Sequence, residues 1–332
     1  MKIIYASGSF QGQYDLCKIS ENILEAWPKL GCSKELLQWL KEFPDSERVA
    51  LLDSGVFSSW SKGDEVDIDA YSDDIHRIID EGTFSHFVGC DVIPGEYGRI
   101  PTDTEVEASA KKGWENFLYM VEKKKVPPNR LIHVFHQGER FFWLENLMKY
   151  HAALVKSGVK DGLYIGISPA NDRTSRQRIL WLEECMPYLT NEDGSAKIRF
   201  HGFGATSTLF MHRYPWYTCD STSWLRAGSF GAIKVPDISA RNQYYDSNMT
   251  VSMTGRSAIS QEDKHFLALS PAEKASIVAY IKGSGFTLEQ VAGDGKAGVV
   301  ARQTMNLRYW KQLEAELNMM DNRWKHPQGR FI

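Results

Sequence analysis

The chain alternates short apolar runs with longer segments in which apolar residues recur at helical spacing. The short runs are rich in β-branched residues, and most are followed by a turn. Eight of them predict strands, at residues 2–6, 48–52, 86–92, 131–135, 163–167, 198–203, 216–219 and 232–235. Between them, the segments 34–43, 68–81, 105–121 and 139–155 place apolar residues on one helix face, as Leu36, Leu37 and Leu40 do in the first.

This alternation predicts a parallel sheet, because a parallel connection needs a crossover that a helix can supply. Eight strand–helix units predict a closed (β/α)8 TIM barrel, here over residues 1–237. A doubly wound open sheet is the alternative. A dinucleotide-binding fold of that type carries a Gly-x-Gly-x-x-Gly turn after its first strand. The segment from Gly8 to Gly12 lacks this spacing.

The chain changes character after the predicted barrel. Residues 239–261 are polar and loop-like, whereas 271–282, 288–292 and 301–317 have the pattern of helices. We therefore predict a mainly helical C-terminal extension over residues 238–332, packed on the barrel.

Composition narrows the classes of function without selecting one. The chain has 332 residues, 42% of them hydrophobic, and a formal charge of −3, so any contact with nucleic acid must use a local basic face. Its five cysteines form no C-x-x-C pair, which favours a reduced, intracellular protein without a disulfide framework or zinc cluster. With no signal-peptide pattern and no apolar segment near the roughly 18 residues of a membrane span, we expect a cytoplasmic protein without a membrane partner.

Polar residues cluster where the predicted strands end, and strand ends are where a barrel carries its reactive groups. Asp53 follows the second predicted strand, Asp91 lies at the end of the third, and Asp220 follows the seventh. Gln137 and several glycines occupy the ends between them. One Asp-Ser-Gly turn alone would usually be only a turn. Three aspartates at the same end of one barrel indicate a functional site.

Two carboxylates that serve one reaction centre fit glycosidic chemistry, in which one attacks the anomeric carbon and the other moves protons. A third carboxylate and a glutamine suit recognition of a planar base with several donors and acceptors. Phe57, four residues after Asp53, is placed to stack on such a base. His133 and His136 are three residues apart and face opposite sides of a strand, so they make a poor ligand pair.

Five motifs at these strand ends occur in a characteristic order. They are Asp53-Ser54-Gly55-Val56-Phe57, Asp91, Gln137-Gly138, Ile165-Gly166-Ile167-Ser168 and Cys219-Asp220. Together they resemble the tRNA-guanine transglycosylase superfamily, and most closely its phage and bacterial DNA-modifying branch, the DNA deazaguanine transglycosylases. Val56 stands where the family's Asp-Ser-Gly-Gly-Phe motif has its second glycine.

The resemblance implies a pentosyltransferase that exchanges bases by double displacement. Asp220 would attack C1′ of a guanosine or deoxyguanosine and expel guanine. A 7-deazaguanine, deprotonated with help from Asp53, would then displace Asp220 and keep the anomeric configuration. No cofactor and no metal ion is implied, because one glycosidic bond replaces another. The residues that would read the base edges or stack on the base are Ser54, Phe57, Asp91, Gln137 and Gly166.

The resemblance does not extend to the zinc site of the tRNA enzymes, which is built near the C-terminus from three cysteines and a histidine. No cysteine follows Cys219 here. We therefore expect DNA as the nucleic-acid partner, with tRNA as the alternative, a free 7-deazaguanine such as preQ0 as the second substrate, and accessory DNA-modification proteins as candidate partners. If the chain is phage-encoded, its location would be the host cytoplasm. Candidate contacts to the nucleic-acid backbone are Lys124, Arg173, Arg176, Arg226 and Arg241.

Three other functions fit parts of the pattern. A metal-dependent barrel hydrolase normally carries His-x-His on its first strand, and residues 3–7 have none. A carbohydrate glycosidase would also bring two carboxylates together. A nucleic-acid-binding module on an inactive barrel would not depend on Asp220. The last two alternatives stay open.

Overall fold

Eight parallel strands close into a barrel in the computed structural model, which describes residues 1–6, 22–28, 34–42, 47–96, 98–236, 248–255 and 265–325. The strands follow one another in chain order: β1 (Lys2–Ala6), β2 (Ile23–Ala26), β3 (Ala50–Asp53), β4 (His86–Val88), β5 (Leu131–His136), β6 (Tyr164–Ser168), β7 (Arg199–Gly202) and β8 (Thr218–Ser221). Strand β8 pairs with β1, where Asp220 lies opposite Ile4. The prediction of a (β/α)8 barrel is confirmed.

One predicted barrel strand lies outside the barrel. Residues 232–235 belong to β9 (Ala232–Pro236), which pairs antiparallel with β10 (Asn248–Ser252) in a separate two-stranded sheet. The remaining barrel strand is instead β2, a run of only four residues that the hydrophobic pattern does not distinguish. Because β10 falls within 239–261, that segment is not uniformly loop-like as expected.

Helices alternate with the strands as the pattern predicts. They are α1 (Lys34–Glu42), α2 (Val56–Trp60), α3 (Ile68–Glu81), α4 (Asp103–Leu118) with a π-helical turn (Tyr119–Lys123), α5 (Phe141–Lys156), α6 (Ser175–Leu189), α7 (Thr208–Arg213) and α8 (Ser223–Ser229). Local signals explain where several begin. Thr102 and Thr174 each form a capping box, in which the cap hydroxyl accepts from the third helical residue and that residue's side chain accepts from the cap backbone.

A mainly helical C-terminal segment follows the small sheet. It comprises a 3₁₀ turn (Phe266–Ala268), α9 (Pro271–Gly283), α10 (Leu288–Ala292) and α11 (Lys296–Met319). A cluster that includes Ile233, Val251 and Ile277 forms a core between the small sheet and these helices. The last helix also packs on the barrel, where the Glu314 carboxylate accepts a 2.9 Å hydrogen bond from the backbone N–H of Ile3.

Helix α11 holds the short helix α8, which directly follows the last barrel strand. Three buried polar side chains of α11 donate to carbonyl oxygens of α8: Arg302 to Gly228 at 2.9 Å, Asn306 to Trp224 at 3.1 Å and Gln303 to Leu225 at 3.3 Å. Buried donors need partners, so these bonds fix the position of one helix against the other. The C-terminal segment thereby steadies the chain immediately after Asp220.

Side chains of the barrel strands alternate between the interior and the surrounding helices. Ile4, Leu51, Ile132 and Tyr164 come from four strands and form one buried cluster that fills the interior. Residues two positions further along a strand face the same way. Asp53 therefore follows Leu51 on the interior face and emerges at the carboxyl end of the barrel.

Candidate active site

The carboxyl ends of the barrel strands open into a cavity of about 1110 Å³. Three carboxylates line it: Asp53 at the end of β3, Asp91 in the loop after β4, and Asp220 in β8. Phe57, in the first turn of α2, also lines the cavity and is 59% exposed. The structure thus brings together the three aspartates that the sequence places at strand ends, with an aromatic ring beside them.

Asp53 is a carboxyl group suited to carrying a proton. Its Oδ1 accepts a 2.7 Å hydrogen bond from the backbone N–H of Gly55. Burial raises the pKa of Asp53 to about 7; the Gly55 bond opposes this rise, and the negative charges of Asp91 and Asp220 add to it. A carboxyl whose pKa lies near neutrality can both donate and accept a proton at physiological pH.

Asp91 is paired with a histidine that the sequence patterns did not single out as functional. His136, the last residue of β5, places its Nε2 2.7 Å from Asp91 Oδ2, and both side chains are partly exposed to the cavity. Burial lowers the pKa of His136, but the hydrogen bond to Asp91 and the charge of that carboxylate outweigh it, so the net pKa is raised.

His133 lies on the opposite face of the same strand, as the spacing predicts. Its ring packs outside the barrel against Trp114 and Phe117. Burial lowers the pKa of His133 to about 4. Of the two histidines of β5, therefore, only His136 reaches the cavity.

Asp220 is held from the β7 side. Its Oδ1 accepts a 2.7 Å hydrogen bond from the backbone N–H of Gly204 and lies 3.4 Å from Nε2 of His201, a fully buried residue of β7. The carboxylate itself is 16% exposed and lines the cavity. One oxygen of Asp220 is thus occupied by the protein.

Two of the predicted base-binding residues brace the backbone and do not line the cavity. Ser54 is buried, and its hydroxyl donates to the carbonyl of Gly89 at 3.0 Å. The side chain of Gln137 accepts from the N–H of Ala170 at 3.0 Å and donates to the carbonyl of Gln177 at 3.3 Å. These contacts place both side chains in structural roles within the loops that frame the site.

Gly166 lies beneath the floor of the cavity. A Cβ added there would come within 2.5 Å of the Phe203 ring and 3.2 Å of Val134 Cγ2, both of which line the cavity. The absence of a side chain at Gly166 lets the Phe203 ring lie close against β6. Phe203 was not singled out by sequence reasoning, which took the glycine itself for the base contact.

The predicted nucleic-acid contacts divide into three groups. Arg226 of α8 lines the cavity. Lys124 pairs with Asp73 at 2.8 Å, and neither it nor Arg173 and Arg176 lines the cavity. Arg241 lies outside the described residues.

Fold and site together define the class: a (β/α)8-barrel protein with its candidate site at the carboxyl ends of the strands. Known protein-family models and curated proteins contain no match to this chain. In the part of the chain that the structure describes, no three His, Cys, Asp or Glu side chains are grouped so as to hold a metal ion. No helix there has the length and apolar character needed to cross a membrane.

Proposed function

We propose that this protein is a base-exchange transglycosylase, which replaces guanine in DNA by a 7-deazaguanine through a covalent glycosyl ester of Asp220. One observation carries the proposal. A carboxylate steadied by a backbone N–H, Asp220, shares a cavity with a second carboxyl, Asp53, whose pKa of about 7 lets it carry a proton.

In the first step, Asp220 attacks C1′ of the target deoxyguanosine. A C–O bond forms, the C1′–N9 bond breaks, and its electron pair goes to the departing guanine. Protonated Asp53 gives its proton to that base and becomes a carboxylate. This step uses Asp220 ionised and Asp53 neutral, and the raised pKa of Asp53 favours that combination.

In the second step, a free 7-deazaguanine occupies the place of guanine. Asp53 takes the proton from N9, N9 attacks C1′, and the ester bond to Asp220 breaks. Two displacements at the same carbon keep the original anomeric configuration, as in retaining glycosidases. Both carboxyl groups return to their starting protonation states, so no other reactant is needed.

Other residues that line the cavity would bind the base. Asp91 offers acceptor oxygens for the N–H groups of a guanine-like edge, and His136 fixes its orientation. Phe57 and Phe203 offer apolar ring faces on which a planar base can stack. Arg226 brings positive charge to the same wall, which suits a substrate with a phosphate backbone.

We favour DNA over tRNA because residues 220–332 contain no cysteine from which the zinc site of the tRNA enzymes could be built. A target base in duplex DNA must leave the helix to reach the cavity, at a cost of a few kcal/mol. A carbohydrate glycosidase is the second candidate function, because two carboxyl groups in one cavity also serve sugar hydrolysis.

A base-exchange experiment tests the proposal. Purified protein is incubated with labelled 7-cyano-7-deazaguanine and either duplex DNA or unmodified tRNA, and the nucleosides are analysed after digestion. We expect label in DNA with the wild type, none with Asp220→Asn, and full incorporation with Asp64→Asn, an exposed aspartate away from the cavity. Label only in tRNA would mean that the substrate is tRNA and not DNA. Label in neither, with folded protein, would contradict the proposed function.

A further inference from the structure

We propose that His201 is a positioning residue that directs an Nε2–H group at Asp220, and that a buried chain of hydroxyl groups fixes this tautomer. The catalytic consequence rests on the proposed function, since it concerns the support of the nucleophile. The tautomer itself does not, and it can be measured without any substrate.

The chain of contacts runs across three neighbouring strands. His201 is fully buried on β7, and its Nδ1 lies 2.6 Å from Thr218 Oγ1 on β8. Thr218 is also buried, and its Oγ1 shares a second hydrogen bond with the Tyr164 hydroxyl of β6. Thr218 pairs with His201 in the sheet register, so the two side chains point the same way. The far nitrogen of the ring, Nε2, faces Asp220 Oδ1 at 3.4 Å.

Each hydroxyl has one proton, and this fixes the direction of the chain. Among the described residues, the Tyr164 hydroxyl has Thr218 as its hydrogen-bond partner, and burial raises the pKa of Tyr164, so the phenol keeps its proton. A buried O–H without an acceptor is costly, so Tyr164 donates to Thr218. The Thr218 O–H then donates a hydrogen bond to Nδ1 of His201, and Nδ1 must be unprotonated to accept it. The ring proton must therefore lie on Nε2.

The other two states of the ring fit less well. With the proton on Nδ1 alone, the lone pair of Nε2 would face the Asp220 carboxylate across 3.4 Å. With both nitrogens protonated, Thr218 Oγ1 would accept from Nδ1, and the proton of either Thr218 or Tyr164 would lack an acceptor among the described residues. The neutral Nε2–H tautomer is the state in which both hydroxyl protons have acceptors and the ring directs an N–H, and not a lone pair, at the carboxylate.

This tautomer gives Asp220 Oδ1 two N–H donors, the Gly204 backbone at 2.7 Å and the His201 ring at 3.4 Å. Oδ2 is then the oxygen left to attack C1′. The ring contact is longer than a full hydrogen bond, and such contacts often tighten once substrate is bound. Two donors fixed in place stabilise the charge that returns to Asp220 when the ester breaks. Loss of the chain should therefore slow the chemical steps and leave binding of the free base unchanged.

Substitution of Thr218 tests the chain with little change of shape. Thr218→Val removes the proton given to Nδ1, and Thr218→Ser keeps it. Thr190→Val is the matched control, because Thr190 is another buried threonine, directly after α6, and the bond its hydroxyl makes within the described part of the chain is to the carbonyl of Met186. Thermal unfolding of all three variants verifies that each is folded.

The direct readout is the ¹⁵N spectrum of the histidine rings, with long-range ¹H–¹⁵N correlations. The protein has nine histidines, and comparison with His201→Gln assigns the signals of His201. We expect a protonated Nε2 and an unprotonated Nδ1 in the wild type and in Thr218→Ser, and loss of that pattern in Thr218→Val. A ring protonated on Nδ1, alone or together with Nε2, in the wild type would overturn the proposal.

The kinetic readout is base exchange. In Thr218→Val we expect kcat to fall about 10-fold or more, with KM for the free base within about twofold of the wild type, while Thr218→Ser and Thr190→Val stay close to the wild type. An unchanged kcat in Thr218→Val would overturn the positioning role. Wild-type protein that shows the expected tautomer but exchanges no base would contradict the proposed function and leave the tautomer standing.

Discussion

On the β4–β5 side of the cavity, His136 lies 2.7 Å from Asp91, and both side chains are partly exposed. On the β7–β8 side, His201 lies 3.4 Å from Asp220 and is fully buried. The first histidine forms a short contact that raises its own pKa. The second is surrounded by protein and bonded through Nδ1 to a buried hydroxyl. The same two residue types therefore occupy two different environments across one cavity.

The difference suits two different tasks. A hydrogen-bonded histidine–carboxylate pair at a partly exposed wall presents polar groups to a molecule that enters the cavity, which is what recognition of a base requires. A nucleophile instead needs a fixed orientation and a stable charge, and buried neutral donors supply both without competing for the proton. Under the proposed function, the β4–β5 side would bind the base, and the β7–β8 side would supply the nucleophile that attacks the sugar.

Substitution of Asp220 and substitution of Asp91 should have the strongest effects on base exchange, and they should change different kinetic constants. Asp220→Asn should lower base exchange about a thousand-fold or more, because the attacking oxygen is lost. Asp91→Asn should raise KM for the free base about 10- to 100-fold and change kcat much less, because the proposed role of Asp91 is to bind the base and not to react with it. Steady-state kinetics of both variants, beside Asp64→Asn, measure this split. A large loss of kcat in Asp91→Asn, with only a raised KM in Asp220→Asn, would exchange the roles proposed for the β4–β5 and β7–β8 sides of the cavity.

Asp53 lies between the two sides and should affect proton transfer. Asp53→Asn should slow base exchange about 100-fold or more, because a proton donor is removed from a step that needs one. In the wild type, formation of the glycosyl ester should slow as the pH rises through about 7, where Asp53 loses its proton. Single-turnover rates from pH 5 to 9 check both statements. A variant that keeps the wild-type rate would exclude Asp53 as the proton carrier.

The same substitution has an opposite effect on stability. The pKa of Asp53 is about 7 in the folded protein against 3.8 for an unperturbed aspartate, so the folded state binds more protons between these pH values. The wild type therefore loses stability as the pH rises from about 4 to about 7, and Asp53→Asn does not. We expect equal melting temperatures for the two proteins at pH 4 and a higher value for the variant at pH 8.

A smaller effect is expected from Gly166, beneath the cavity floor. Gly166→Ala should push the Phe203 ring out of place, since the added Cβ would lie 2.5 Å from it. We expect a loss of about 1–3 kcal/mol in unfolding free energy and a higher KM for the base. Gly283→Ala is the control, because a Cβ there meets no atom within 4 Å. Equal stability of the two variants would show that Phe203 yields without cost.

The hydrogen-bonded pair of His136 and Asp91 should affect stability. His136→Gln should lower the unfolding free energy by about 1–3 kcal/mol at pH 6, because a hydrogen bond between charged groups is lost. Since the pKa of His136 is raised in the folded protein, its contribution is full below the unfolded value of 6.5 and declines as the pH rises through the folded one. Urea unfolding at pH 6 and pH 9 should show the larger cost at pH 6. A cost that does not vary with pH would mean that the pair is not ionic.

The barrel could be predicted from the sequence because seven of its strands are distinct apolar runs, and helices separate the strands from β2 onward. The eighth strand could not be predicted, and the reason is physical. Strand β2 has only four residues, whereas β9 has the apolar composition of a barrel strand yet pairs antiparallel with β10. Local hydrophobicity reports burial, and it does not report which partner a strand will pair with.

The site could be predicted in part. Asp53, Asp91 and Asp220 are recognisable because carboxylates at strand ends of a barrel share one face. His201 lies inside an apolar run and has the pattern of a core residue, and its link to Thr218 and Tyr164 joins three separate strands. Such adjacency follows from sheet register and not from spacing along the chain. A polar residue on the interior face of a strand, one position before the strand's end, is the signal that would have indicated it.

A covalent bond between Asp220 and the sugar can be detected by mass spectrometry of the acid-quenched protein. The protein is incubated with a short guanine-containing DNA in the absence of an incoming base, quenched, digested, and its peptides mapped. We predict a glycosyl adduct on the peptide that contains Asp220, absent in Asp220→Asn and removed when 7-cyano-7-deazaguanine is added before quenching. Base exchange that proceeds without any adduct, or an adduct on Asp53, would contradict the account.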